Sequence, residues 1–152
     1  MGYRKEKYDI TGKDIISGKY STEDMINILY ICEDKKLNKY QLDIKIVYRY
    51  IIRVIMDGHL GFFRLSDKEV WYDTVKALEN VGFSDCAEWI KEFCNLYAEK
   101  TKDVEYFIGI CESFDKKFSC KYDPDVIIAE IGKYIMKNPY NMAFSGEVDI
   151  LE

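Results

Sequence analysis

Lys45, Arg49, Arg53 and Asp57 recur at every fourth residue through a segment that is otherwise almost wholly apolar. Leu42, Ile44, Ile46, Val47, Tyr48, Tyr50, Ile51, Ile52, Val54, Ile55 and Met56 fill the positions around them. The wealth of β-branched residues and the Asp43-Ile44-Lys45-Ile46 alternation also suit a strand. A four-residue repeat, however, draws one narrow polar stripe along a helix, whereas on a strand it puts all four charges on one face with no apolar counterpart. The segment therefore predicts a helix over about 39–57, roughly 28 Å long at 1.5 Å per residue. A helix apolar nearly all round belongs in the middle of a fold. The expected fold class is all-α, a single compact bundle of about six helices around this buried central one.

The stretch that follows is Asp57-Gly58-His59-Leu60-Gly61-Phe62-Phe63-Arg64, with two of the nine glycines and the only histidine. Gly58 and Gly61 both tolerate positive φ, so a tight reversal is expected here, with the Phe pair folding back onto the core.

The remaining helices are announced by their starts. Ser21 with Asp24 reads as a capping box, and Met25, Ile28, Leu29 and Cys32 follow on one face. Asn38 caps the central helix. Ser66 with Glu69 reads as a second capping box before Trp71, Val75, Leu78 and Val81, and Gly82 ends that helix. Ser84 caps the next, whose inner face is Ala87, Ile90, Phe93, Cys94 and Tyr97. Thr101 starts another, with Val104, Phe107, Ile108, Cys111 and Phe114 as its stripe. Asp123-Pro124 opens the last, with Pro at the first helical position. Residues 1–20 read as an irregular lead-in with a helical turn near Lys13–Ser17. The helical domain is 21–136, and 137–152 is an extended tail from which Phe144 and Val148 dock on the body.

A net charge of −5 opposes direct binding to nucleic acid, which needs a basic surface to displace counterions. No apolar run reaches the roughly 18 residues a membrane span needs. Five cysteines, an odd number, and no leader-like stretch lead to the expectation of reduced thiols in a cytoplasmic protein. All but Cys120 lie on or beside an apolar helical stripe, where free cysteine packs as a small hydrophobe.

Catalytic motifs are absent from the sequence. A zinc site would need a Cys-x-x-Cys pair or a second histidine. The phosphate-binding and dinucleotide-binding glycine motifs do not occur. The expected cofactor set is empty, with no metal and no catalytic residue assigned. What remains is a candidate ligand- or partner-binding group around the glycine stretch: Asp57, Gly58, His59, Gly61, Phe63 and Arg64, with Arg49 and Arg53 from the helix before it. Arginine presents a planar fork suited to phosphate or carboxylate, and Asp57 beside His59 has the composition of an acid–base pair. The alternative role for the arginines is to pair with Asp57 and with acids of neighbouring helices.

From about Val47 to Tyr97 the order of features resembles the DUF4375 or DMP19-like family, bacterial helical proteins that include a DNA mimic. The family pattern is an apolar helix, Asn-Gly-Gly-Phe-x-Gln-Phe/Tyr, a helix ending Leu-x-x-Ile-Gly, and a helix rich in Ala and Leu. Tyr48–Met56 match the first part. Asp57, Gly58, Leu60 and Phe63 take the Asn, first Gly, Phe and last aromatic positions. Leu78, Val81 and Gly82 match the next part, and Ala87 and Ile90 the last. His59 stands where the family has its second Gly, and Phe62 where it has Gln. The resemblance implies a helical domain centred on the glycine stretch; it does not imply an enzyme.

The functional expectation is a non-enzymatic protein-interaction module that binds a protein partner through an acidic, Tyr-rich surface, inhibitor- or immunity-like or DNA-mimic-like. The alternative is an enzyme or an anion- or small-ligand-binding protein built on residues 57–64.

Overall fold

A computed structural model describes residues 2–100 and 102–152. Among these described residues seven α-helices and a two-stranded ribbon follow one another: β1 (Tyr3–Ile10), α1 (Gly12–Ile16), α2 (Thr22–Ile31), α3 (Lys39–Arg64), α4 (Lys68–Val81), α5 (Ser84–Glu99), α6 (Val104–Lys121), α7 (Pro124–Lys137) and β2 (Phe144–Leu151). The all-α expectation holds, with α3 at the centre, packed against α2, α4 and α6.

The central helix starts where expected. Asn38 caps it through the Gln41 backbone N–H, and the Gln41 side chain returns the bond to the Asn38 backbone. Ile44, Val47, Tyr50, Ile51 and Val54 are buried along one side. Its burial is not complete: Ile55 and Met56 are 64% and 71% exposed in the turn before Gly58.

At Gly58 the chain kinks rather than reverses. Its φ of 69° and ψ of 177° interrupt α3, and helical geometry resumes as far as Arg64. Gly61 lies within that second limb in helical conformation, so only Gly58 of the two uses positive φ. The long limb thus ends at Asp57 as the sequence indicates, but a short second limb continues the rod at an angle.

Two helix starts differ from expectation by one residue. Asp67, not Ser66, caps α4, accepting from the Val70 backbone N–H at 3.0 Å. The Ser66 hydroxyl is occupied elsewhere: it donates to the Phe62 carbonyl and accepts the Trp71 indole N–H. Ser84 is the first residue of α5, and buried Phe83 occupies the cap without any side-chain bond. Gly82, in left-handed conformation with φ 112°, ends α4 and turns the chain so that Phe83 enters the core. The expected start at Thr101 lies outside the described residues; the described helix begins at Val104, capped by Asp103. Ser21 and Asp123 cap α2 and α7 as read from the sequence.

Tyr3–Ile10, read from the sequence as irregular, is a strand, and the extended tail over 137–152 contains its partner strand. β1 and β2 pair antiparallel from Tyr3 opposite Leu151 to Ile10 opposite Phe144. The helical turn near residues 13–17 is α1. Alternation puts Ile10, Phe144 and Val148 on the buried face of the ribbon, so Phe144 and Val148 do dock on the body.

Candidate functional site

Six of the eight residues singled out in the sequence divide into an interior set, Gly58, His59 and Phe63, and a surface set, Arg49, Arg53 and Arg64. The interior set is a polar knot around His59, which is fully buried. Its Nδ1 lies 2.7 Å from Asp115 Oδ1, and its backbone N–H donates to the same oxygen at 2.8 Å. Its Nε2 lies 2.6 Å from the Tyr50 hydroxyl. A carboxylate oxygen only accepts, so Nδ1 carries the proton and Nε2 accepts from the Tyr50 hydroxyl. The buried Cys86 thiol of α5 neighbours the same hydroxyl, so the knot reaches from α6 through both limbs of α3 to α5.

The kink explains why this arrangement exists. Breaking the helix at Gly58 leaves the first N–H groups of the second limb without intrahelical partners. Asp115 reaches across from α6 and caps the His59 N–H as an N-cap residue would, but in trans. A β-carbon at Gly58 would lie 2.7 Å from Asp115 Oδ2, so glycine is needed there for its φ and for the approach of the carboxylate. Trp89 and Phe114 pack edge-on against the imidazole. Phe63 stacks on Phe93 at 3.6 Å and meets Trp71 edge-on, which makes it the hydrophobic plug the Phe pair suggested.

These surroundings set the acid–base chemistry. Burial pushes the His59 imidazole below the ordinary histidine range, and the Asp115 carboxylate opposes that shift without cancelling it. Burial likewise holds Tyr50 well above the usual phenol range and pushes the Cys86 and Cys111 thiols up to about 12. A buried neutral imidazole with both nitrogens engaged is a structural element, as are thiols that stay protonated. Asp57 is not its partner: it pairs with Arg53 at 2.7 Å on the surface.

The surface set lines a groove of about 910 Å³ between α3 and α4. Arg49, Arg53 and Arg64, three of the four arginines, share it. Leu42, Ile46, Tyr50 and Phe62 contribute apolar lining, and Asp67, Glu69, Val70 and Asp73 come from the cap and first turns of α4. Arg49 pairs with Asp34 at 3.1 Å, and buried Lys45 pairs with the same carboxylate at 2.8 Å while donating to the Cys32 carbonyl. That hydrogen bond from Lys45 is the main reason the Asp34 carboxyl sits below its usual range. The four-residue repeat of charge is thus largely consumed in ion pairs. Gly61 takes part in neither set; it makes room for Asp57, whose Cβ a side chain at Gly61 would strike. Among the described residues no three His, Cys, Asp or Glu side chains converge as a metal ion would require, and no helix is long and apolar enough to cross a membrane.

Sequence reasoning missed Asp115, Tyr50 and Cys86 as one unit, and it missed Glu69 and Asp73 as groove residues. A signal for Asp115 existed. It lies four residues after Cys111 and between Phe114 and Phe118, so an acid intrudes on the apolar stripe of α6.

No curated protein and no solved structure matches the chain. The family model for DMP19-like proteins matches residues 35–138, which run from the turn before α3 to just past the end of α7. The match contains the kinked helix, the knot around His59 and most of the groove, and extends the likeness seen over Val47–Tyr97 through α6 and α7. Covering well over half of its length, it shows that the chain belongs to the family of DMP19-like proteins.

Proposed function

We propose that this protein is a non-enzymatic protein-interaction module, and that the groove between α3 and α4 receives its partner. The observation that carries the reading is the combination on that groove: Leu65 and Val70 are 65% and 42% exposed beside Arg49, Arg53 and Arg64. Arginine is enriched at binding hot spots, and exposed apolar side chains beside it offer surface for a partner to cover. The condition of His59 supports the same reading over an enzyme, because an imidazole without exposure and with both nitrogens bonded presents no base to a substrate. For the anion-clamp alternative, Arg49 and Arg53 already hold Asp34 and Asp57, which among the described residues leaves Arg64 of the three without an ion pair.

Family membership raises the finer possibility of DNA mimicry, with carboxylates standing in for phosphates. Lysines interrupt the carboxylate rows here: Lys91 bridges Glu79 and Glu88, Lys121 holds Asp85, and Lys133 holds Glu130. That pattern favours a groove-bound partner over a phosphate-like surface. The free thiols suit a reducing, cytoplasmic setting.

The test is retention of host proteins on the immobilised full chain, compared with a Leu65→Glu/Val70→Glu variant and with Met136→Glu, an exposed change on α7. A protein held by wild type and Met136→Glu but lost from the double variant is expected. Equal retention by the double variant overturns the reading. Displacement of the retained protein by duplex DNA would move the assignment to mimicry.

A further inference from the structure

The groove holds charges that the fold leaves unused. Arg64, Glu69 and Asp73 all line it, and among the described residues none of the three enters an ion pair. Every cation in the lining belongs to α3, and the acids of the opposite side, Glu69 and Asp73, belong to α4. Glu69 and Asp73 are four residues apart on one helix, where like charges repel. Opposite charges therefore line one groove without an ion pair between them, and a cation from outside would relieve the repulsion within the acidic pair. Leu65 and Val70, apolar and exposed, line the same groove. The long limb of α3 contributes lining residues from Leu42 to Arg53, about 16 Å of helix axis at 1.5 Å per residue, room for three turns of a second helix.

We infer that the occupant of this groove is a helical segment of a protein partner with an apolar ridge, an acidic residue on one flank and a basic residue on the other. The ridge covers Leu65 and Val70. The acid meets Arg64, whose fork suits a carboxylate, and the base meets the Glu69–Asp73 pair. This deepens the protein-interaction reading and rests on it, and it separates this site from a DNA mimic, whose partner presents a uniformly basic surface.

The experiment uses the full chain and three dye-labelled helical peptides of about 18 residues, long enough to hold a helix. All share one leucine ridge. One carries Glu on one flank and Lys on the other, one carries Glu on both, and one Lys on both. Binding is read by fluorescence anisotropy at low and at moderate salt. The mixed peptide is expected to bind at least ten-fold tighter than either uniform peptide. Arg64→Glu, or Glu69→Lys with Asp73→Lys, is expected to weaken it at least five-fold while leaving the circular dichroism spectrum and Tm unchanged. Equal affinity for the three peptides, no binding by any, or a preference for the all-Lys peptide overturns the inference. If a native partner is lost with Leu65→Glu/Val70→Glu but indifferent to the charge reversals, the groove stands as the interaction site and the charge pattern assigned to its occupant falls.

Discussion

Substituting Gly58 by Ala tests whether the kink and the knot are one device. The substitution acts twice. At φ 69° and ψ 177° the backbone is in a region that only glycine populates readily, and an alanine there costs about 1–3 kcal/mol. Its Cβ would also stand 2.7 Å from Asp115 Oδ2, so the carboxylate must withdraw from the His59 backbone N–H and Nδ1–H. Leaving a buried donor unpaired costs about 1–3 kcal/mol, and the partial exposure of Asp115 puts each of the two donors near the lower end, about 2 kcal/mol together, because water can enter. Gly58→Ala should therefore lose about 4 kcal/mol, and Asp115→Ala about 2 kcal/mol. The double variant has no carboxylate to clash with, so it should lose about 4 rather than 6 kcal/mol, a coupling of about 2 kcal/mol. Denaturant unfolding followed by tryptophan fluorescence suits the measurement, since the Trp89 ring lies 5.8 Å from that of His59. Additivity of the two losses within about 0.5 kcal/mol would refute the claim that Gly58 is glycine partly to admit Asp115.

Protonation supplies a second test. The imidazole of His59 is held below its free value of 6.5, so the unfolded chain binds the proton first as pH falls. The stability His59 contributes is complete above about pH 6.5 and drains away as pH drops from there toward its folded value. Unfolding free energies at pH 7.5 and 5.5 should differ in wild type, and the difference should shrink in His59→Gln; an unchanged difference would dismiss His59 as its source. At Lys45, both Lys45→Met and Lys45→Ala remove the donor to the Cys32 carbonyl, but Met keeps the side-chain volume, so Lys45→Ala should cost about 2 kcal/mol more than Lys45→Met by opening a void. Equal losses in chemical denaturation would show that volume at this position does not matter. Val148→Ala, on the buried face of the ribbon, should cost about 1–2 kcal/mol and speed amide exchange in β1 as well as β2. Unaltered exchange in β1 would show that the strands are not held as a unit. A thiol reagent should label exposed Cys120 at once and half-buried Cys94 more slowly, with Cys32, Cys86 and Cys111 reacting only on unfolding. Peptide mapping after timed labelling reads the order, and early labelling of Cys86 would contradict its place in the knot.

The helices were legible because their signals are local. Ser21, Asn38 and Asp123 cap where the sequence puts them, since a cap needs only a side-chain oxygen and an N–H three residues on. At Ser66-Asp67 two capping residues stand side by side, and the choice falls to Asp67 because the Trp71 indole claims Ser66. The ribbon was hidden. Tyr3–Ile10 reads Tyr-Arg-Lys-Glu-Lys-Tyr-Asp-Ile, with too few apolar residues to show alternation, and its pairing partner begins at Phe144. Among the site residues, the sequence places Gly58 and Phe63 near their actual roles, but it puts His59 beside Asp57, whereas its partner Asp115 lies 56 residues away.

From sequence alone came the all-α architecture, the central helix, the position of its break and the membership of most of the core. Periodicity and capping follow from backbone geometry, which each residue carries with it wherever it sits. Tertiary structure alone decided which charges were consumed and which were left over. His59 went inward with Asp115 and Tyr50, Lys45 and Arg49 went to Asp34, and among the described residues Arg64, Glu69 and Asp73 found no ion-pair partner on their groove. The worth of a polar side chain depends on the distance to its partner and on the water displaced between them, and both are properties of packed elements rather than of neighbours in the chain.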